Sequence, residues 1–423
     1  MIHIIIGAQW GDEGKGKIVD LLSQKANVSV RFHGGNNAGH TIVNNYGKFP
    51  LHLMPAGIFN LRCKTFITNG VIIDLEVLGI EIDTIKKVLP DFSKRLFISP
   101  RCHVIMPYHK ILDKLFEEAK GKAKVGTTGR GISTTYADKV SYNGIRLCDF
   151  LRPEQLKRRL EILLPLKNKI IVALGGKKLI LEEVYKDELK KFEKIKPFVK
   201  ETFNPLFKAA NENKKIIFEG AQGVFLDNDW GTYPYVTASS MVAGNINIAG
   251  GIPTKFIKKI IGISKAYTTR VGEGPFPTEL NDETGEKIRK IGAEYGATTG
   301  RPRRCGWLDL EMLRFAVQLN GMTDIALTKL DVLDDFKKIS ICVSYTLNGK
   351  KINYVDCDAN QLAKVKPIYK NFSGWNKKTS SVKKFNDLPV NAKKYIKFIE
   401  KFLDIPVSII SVGPERNQTI FNK

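Results

Sequence analysis

No stretch of about eighteen consecutive apolar residues occurs in this chain, so no membrane-spanning helix is expected. Cysteine is sparse: six residues, at 63, 102, 148, 305, 342 and 357, with no C-x-x-C pair. Scattered single cysteines read as reduced, packed thiols of a cytoplasmic protein, and their spacing suggests no zinc site. A basic leader with a cleavage site is also missing, so no signal peptide is expected and the apolar residues after Met1 start the fold. Acidic residues are the scarcer charge, 43 against 67 basic, for a net charge of +24. Such an excess can attract a polyanion. Here, however, the lysines are spread along the chain, densest near 153–200, and the aromatics do not interleave with them as in a single-strand platform. We therefore expect a solvated basic surface, with no nucleic acid or membrane as partner.

What is present is a patterned globular sequence. Ile2–Ile6 is an all-apolar run ending at Gly7, suited to a buried central strand. A glycine-rich turn, a helical pattern from Lys17 and a second strand at Val28–Phe32 come next, a βαβ opening that implies a parallel sheet. Further strands are expected at Thr65–Thr68, Lys215–Glu219, Lys259–Ala266, Ile325–Thr328, Ile339–Tyr345 and Val407–Ile410. Leu310, Leu313 and Val317 share one helical face that stops at Gly321, and Ala392, Tyr395, Ile396, Ile399 and Leu403 form a second stripe after Pro389. No repeat or linker divides the chain. The expectation is one α/β domain over residues 1–423, with a helical insertion at roughly 100–200.

Gly11-Asp12-Glu13-Gly14-Lys15-Gly16-Lys17 matches the G-x-x-x-x-G-K phosphate loop and sits between a strand and a helix. Backbone N–H groups, the helix N-terminus and the lysine charges all suit phosphate. Ile18 stands where a Walker loop has the Ser or Thr that holds Mg²⁺, while the loop itself carries Asp12. A carboxylate there can hold the metal, act as a base, or both. A regulatory GTPase, which would keep the hydroxyl residue, fits less well. At the end of another apolar run, Thr328-Lys329-Leu330-Asp331 offers a carboxylate for the paired N–H groups of guanine and a lysine stem for the purine face. Ser411 and Gly413, after a later strand, suit a second wall of that pocket.

Several further loops are too polar and glycine-rich for packing alone: 32–41, 125–131, 218–223 with 231–237, and 296–304. They supply backbone donors, hydroxyls and arginine forks for phosphates and carboxylates. Glycine-flanked His40 is placed to donate to a developing phosphate charge, and Arg301 and Arg303 to clamp a dicarboxylate.

Taken in order, these segments resemble the adenylosuccinate synthetase family. The likeness runs from Gln9–Lys17 to Ser411–Pro414 and includes 36–41, 126–131, 270–279 and 298–304. It implies a P-loop-NTPase-like α/β fold, with a mostly parallel central sheet flanked by helices and inserted helical segments. It also implies a Mg²⁺-dependent ligation of L-aspartate to IMP at the expense of GTP, through 6-phosphoryl-IMP. By the resemblance, Asp12, His40 and Gln222 are catalytic, and Asp12 and the Gly39 carbonyl hold the metal. GTP falls to Gly11, Glu13, Gly14, Lys15, Gly16, Lys17, His40, Thr41, Lys329, Asp331, Ser411 and Gly413. IMP falls to Asp12, Asn37, Thr128, Gln222, Thr237 and Arg301, and aspartate to Thr298, Thr299, Arg301 and Arg303. A cytoplasmic homodimer is implied. One departure stands out: Tyr142 occupies the place of an arginine that in the family reaches across the dimer to IMP, which leaves open a ligase acting on a different purine monophosphate.

Overall fold

The computed structural model describes residues 1–296 and 300–422. Its centre is a nine-stranded sheet. In chain order the strands are β1 (Ile2–Gly7), β2 (Val28–Arg31), β3 (Lys64–Ile67), β4 (Leu96–Ile98), β5 (Ile216–Glu219), β6 (Ile257–Lys265), β7 (Asp324–Thr328), β8 (Val407–Ser411) and β9 (Thr419–Phe421). Across the sheet they run β9-β8-β7-β6-β1-β5-β2-β3-β4. All neighbours pair in parallel except β9, which returns antiparallel to β8.

The strand residues explain this arrangement. Ile4 and Ile6 enter one hydrophobic core and Ile5 the other; Phe218 and Ile217 divide the same way, as do Leu327 and Ala326. A period of two with apolar residues on both faces is what a sheet covered on both sides requires. Helix α1 (Lys15–Ser23) covers the Ile5 face through Ile18 and Val19. That core also takes helices α2 (Pro107–Ala119), α4 (Pro153–Ala173) and α5 (Leu181–Glu193), with Leu112, Leu160, Val184 and Phe192 among their buried contacts, while α3 (Ile132–Val140) sets Ile132 in a small separate cluster with Ile72 and Ile105. The opposite core takes α6 (Glu283–Gly292), α7 (Leu310–Asn320) and α8 (Val390–Leu403). The Asp309 side chain caps α7 by accepting from the Met312 N–H, and Gly321 ends it at φ 58°.

All the expected strands form, with one difference in placement. Residues 339–345 lie within Lys338–Leu347, which pairs with Leu308–Asp309, Lys350–Ile352 and Lys366–Ser373 in a separate four-stranded sheet. The alternation that marks a strand carries no information about which sheet receives it. No helix among the described residues is long and apolar enough to cross a membrane.

Ile5 is fully buried on the strand that both halves of the sheet share. Ile5→Ala should therefore lower unfolding free energy by about 2–5 kcal/mol. Urea titration checks this, with a lowered midpoint and an unchanged slope expected.

Candidate active site

The β1 strand ends at Gly7, and the loop to α1 turns on a carboxylate directed inward. Glu13 is fully buried; its Oε1 accepts from the backbone N–H of Gly11 (2.8 Å) and of Gln9 (3.1 Å), and its Oε2 from Lys15 Nζ (2.5 Å). Gly7 is required for this. A Cβ there would stand 2.4 Å from both Glu13 Oε2 and the Gln222 carbonyl. Asp12 lies in the left-handed region at φ 59°, and its Oδ2 accepts from Arg303 Nε at 2.7 Å. The Glu13 side chain thus shapes the loop, leaving its backbone N–H for an anion.

Neighbouring strand ends close on this loop. Thr328 Oγ1 at the end of β7 donates to the Glu13 carbonyl (2.6 Å), joining the phosphate loop directly to the Thr328–Asp331 segment. Lys17 Nζ donates to Ser411 Oγ (2.7 Å) and to the carbonyls of Gly413 (2.6 Å) and Gln418 (2.9 Å). An ammonium has three protons, so Lys17 is committed to the wall after β8. Gly16 packs so closely on His40 that a Cβ would lie 3.1 Å from the histidine Cβ. Gln222, after β5, adopts φ 42°, and its carbonyl approaches Gly7. Asn37 Nδ2 donates to Thr237 Oγ1 (3.2 Å), and Arg130 Nη1 to the Asn36 carbonyl (2.7 Å).

Several of these groups are buried without a hydrogen-bond partner: both side-chain polar atoms of Gln222, Asn37 Oδ1, Asp331 Oδ1 and His40 Nε2. Leaving buried polar atoms unmatched costs stability, on the order of 1–3 kcal/mol each, unless a ligand satisfies them. His40 Nε2 stands 3.5 Å from Glu219 Oε1, too far for a good hydrogen bond. Burial, reinforced by Arg31, His52 and Lys15, holds His40 well below the usual histidine range, so it is neutral near pH 7. Glu219 itself is tied to Arg31 Nη1 (2.9 Å) and to the Ala56 N–H (2.9 Å). Burial pushes the Asp331 carboxyl up, with Lys329 and Lys17 opposing.

The expected site residues do not all meet. Asp12, Glu13, Lys17, Gln222, Arg303, Thr328, Ser411 and Gly413 are linked by the contacts above. Thr41 is the second residue of the His40–Asn44 strand, whose hairpin with Gly47–Leu51 brings His40 over α1, and Gly39 precedes that strand. Thr128 is exposed on a loop whose backbone N–H groups at Val125 and Gly126 bind Glu117 Oε2 at 3.1 and 2.9 Å. Arg301 is exposed, 3.7 Å from Glu273 Oε1. Thr298 and Thr299 lie outside the described residues. Sequence reasoning missed Glu294 and Lys265. Glu294 is fully buried and binds Lys265, Lys329, Arg303 and Tyr267, yet it stands as one carboxylate before a glycine-rich turn. Only the unusual Lys265 at the end of an apolar strand hinted that a buried counter-charge must exist.

Burial brings Lys17 down to about 8, with Asp331 resisting. The protonated form makes the three-way strut and is lost as pH rises through that value. Guanine-nucleotide affinity is therefore expected to fall above about pH 8, and Lys17→Met should weaken binding at neutral pH and flatten the dependence. Nucleotide titration from neutral pH upward measures both.

Comparison with known proteins agrees with this geometry. Residues 4–420 match the model of the family described as adenylosuccinate synthetase. The adenylosuccinate synthetase of Clostridium botulinum (strain Loch Maree) is 48% identical over 422 residues, covering 99% of this chain and 98% of that one. That of Acetivibrio thermocellus is 48% identical over 421 residues, 99% of each. The fully ligated adenylosuccinate synthetase of Plasmodium falciparum superposes with a TM-score of 0.94 at 38% identity, covering 100% of this chain and 99% of that one. The succinoaminodeoxyadenylate synthetase of cyanophage S-2L, at 18% identity and a TM-score of 0.61 over 99% of this chain and 95% of that one, shares the fold. With residues 11–17, 219–222, 328–331 and 411–413 gathered at one end of the sheet, the chain belongs to the adenylosuccinate synthetase family, the GTP-dependent ligases that join aspartate to IMP.

Proposed function

We propose that Asp12 is the general base and that the loops around it bind GTP, IMP and aspartate. The observation that supports this reading is a pair of contacts, Arg303 Nε to Asp12 and Thr328 Oγ1 to the neighbouring Glu13 carbonyl, by which the loop that bears the carboxylate meets the start of the Thr328–Asp331 segment. The loop N–H groups after Gly11, whose own N–H goes to Glu13 Oε1, and the N-terminus of α1 receive the phosphates of GTP. Asp331 accepts the guanine N–H pair, the Lys329 stem packs on the purine, and Lys17 holds Ser411 and Gly413 as the far wall. Asn37, Thr128, Gln222, Thr237 and Arg301 surround IMP. Arg303, Arg301, Thr298 and Thr299 receive aspartate.

In this scheme Asp12 takes the proton from N1 of IMP, and Gln222 stabilises the resulting anion through its unpartnered amide. O6 attacks the γ-phosphorus, the bond to GDP breaks, and neutral His40 donates a hydrogen bond to the charge that develops on phosphate. The amine of aspartate then attacks C6, phosphate departs with O6, and adenylosuccinate forms. Arg303 must release Asp12 before the base acts, and an incoming aspartate carboxylate is a suitable exchange partner. The Asp12 carboxylate and the Gly39 carbonyl are hard oxygen donors beside a phosphate site. As such they would hold Mg²⁺. When bound, Mg²⁺ offsets phosphate charge at the transferring group.

We also read the working enzyme as a cytoplasmic homodimer. Val140 and Tyr142 are 71% and 91% exposed at the end of α3, a surface suited to a second copy.

An omission assay tests the reaction: GDP release should require IMP and Mg²⁺, and adenylosuccinate should require aspartate as well. Release with GMP in place of IMP would overturn the choice of purine. Asp12→Asn should reduce turnover about 100- to 10,000-fold while GTP still binds. Asp331→Asn replaces an acceptor with a donor, so the preference for GTP over ATP should fall about 10- to 100-fold; an unchanged ratio discards the guanine assignment.

A further inference from the structure

One buried carboxylate joins Lys329 to Arg303, two side chains that share no hydrogen bond of their own among the described residues. Glu294 lies just beyond α6 and is fully buried. Its Oε1 accepts from Lys329 Nζ (2.9 Å), from Tyr267 Oη (2.5 Å) and from Lys265 Nζ (2.9 Å). Its Oε2 accepts from Arg303 Nη1 (2.6 Å) and again from Lys265 Nζ (2.9 Å). Lys265 is itself fully buried and also donates to Thr269 Oγ1 (2.6 Å). Because Lys265 contacts both carboxylate oxygens equally, the carboxylate plane is fixed. Lys329 and Arg303 are thereby held at set positions on either side of it.

The two arms lead to different substrates. Lys329 also donates to the Gly292 carbonyl (2.6 Å) and stands next to the guanine-reading Asp331. Arg303 extends from Glu294 to Asp12 through its Nε. Three cations, Lys265, Lys329 and Arg303, face two carboxylates, Glu294 and Asp12. Without Glu294, Asp12 would be the remaining carboxylate bound to Arg303 in this cluster, and Arg303 would have no anchor from which to release it.

We propose that Glu294 is a positioning residue of the ligase, tethering the guanine-side Lys329 and the Asp12-side Arg303 to one carboxylate and so coupling nucleotide choice to aspartate binding. The proposal rests on the assignment of Lys329 to guanine and of Arg303 to aspartate. The low dielectric around a fully buried group gives the coupling its strength: a change in the pull on one oxygen is felt at the other without relief from water. The cations hold the Glu294 carboxyl far below the usual carboxylate range against the opposing effect of burial, so it is ionised throughout the working range.

Two variants of the whole enzyme test it, with rates referred to titrated active sites. Glu294→Gln keeps the shape and removes the charge. It should lower kcat about 10- to 100-fold, raise the KM for aspartate and reduce the preference for GTP over ATP in the same protein. A purely structural loss would lower the active fraction and leave those ratios alone. Lys329→Met cuts only the guanine-side arm and does not depend on whether the first variant folds. It should change the KM for aspartate by about fivefold or more, although Lys329 bonds to Glu294 and Gly292 rather than to Asp12. An aspartate KM unchanged in Lys329→Met overturns the coupling. Asp331→Asn separates the two failures. If it shifts nucleotide preference while Lys329→Met leaves aspartate untouched, only the coupling is wrong. If neither variant alters nucleotide preference, the guanine assignment falls and takes the coupling with it.

Discussion

Parallel pairing of β1 between β5 and β6 forces the carboxyl ends of these strands onto one edge of the sheet, and the site is assembled from the loops that leave those ends. Gly7 leads to the phosphate loop, Glu219 to Gln222, Thr328 to Lys329 and Asp331, and Ser411 to Gly413. A chain that leaves β1, runs outward to β4, returns to fill the gap at β5 and then crosses to β6 reverses direction around β1. In open α/β sheets such a reversal opens a crevice at the strand ends, because successive connections depart to opposite sides. The chemistry is possible because loops far apart in sequence share that crevice.

Within the crevice, backbone strain sits on functional side chains. Asp12, Gln222 and Lys329 have φ of 59°, 42° and 57°, a region that costs a residue with a Cβ on the order of 1–3 kcal/mol where the fit is poor. Lys329 directly follows its strand, while Gln222 and Asp12 lie further along the loops that leave Glu219 and Gly7; in each a right-handed conformation would continue the chain along a different path. The fold tolerates the strain because surrounding contacts over-determine it: Arg303 on Asp12, Glu294 and the Gly292 carbonyl on Lys329, and the close Gly7–Gln222 backbone approach. Side chains held this way need little reorganisation when substrate arrives, which is the main route by which a polar site accelerates group transfer.

The sheet was legible because its strands are apolar on both faces and end in glycine or polar turns; Ile2–Ile6 and Ile325–Thr328 announced themselves by composition alone. The phosphate loop and the Thr328–Asp331 segment were legible for a different reason, since contiguous residues carry their whole chemistry. Pairing across the chain lay beyond reach. Lys17 reads as a phosphate lysine by motif, yet its hydrogen bonds go to residues 411–418, a destination set by the β7–β8 register rather than by the loop. Glu13 reads as a loop carboxylate exposed to ligand, and turns inward because Gly7 and Gly223 leave room beneath it. Glu294 has no motif at all, being defined by three cations from three other segments.

The large positive charge of the chain acquires a local meaning at that cluster. Most of its lysines are surface groups, and the exposed pairs that some of them make are each worth about 0–1 kcal/mol. Around Glu294 and Asp12, buried Lys265 and Arg303 and half-buried Lys329 outnumber the two carboxylates, an imbalance that costs stability. Triphosphate, nucleoside monophosphate and a dicarboxylic amino acid are all anions, and each reduces that imbalance on entering. The same excess explains why Arg303 rests on Asp12: a base left facing several cations attracts the nearest fork. In the proposed mechanism, binding of a competing carboxylate is what frees it, so that the base is released when the last substrate is present to use the activated purine. On that proposal, charge excess, strained backbone and the Glu294 tether serve one end, a carboxylate held ready and withheld until the anions that need it have arrived.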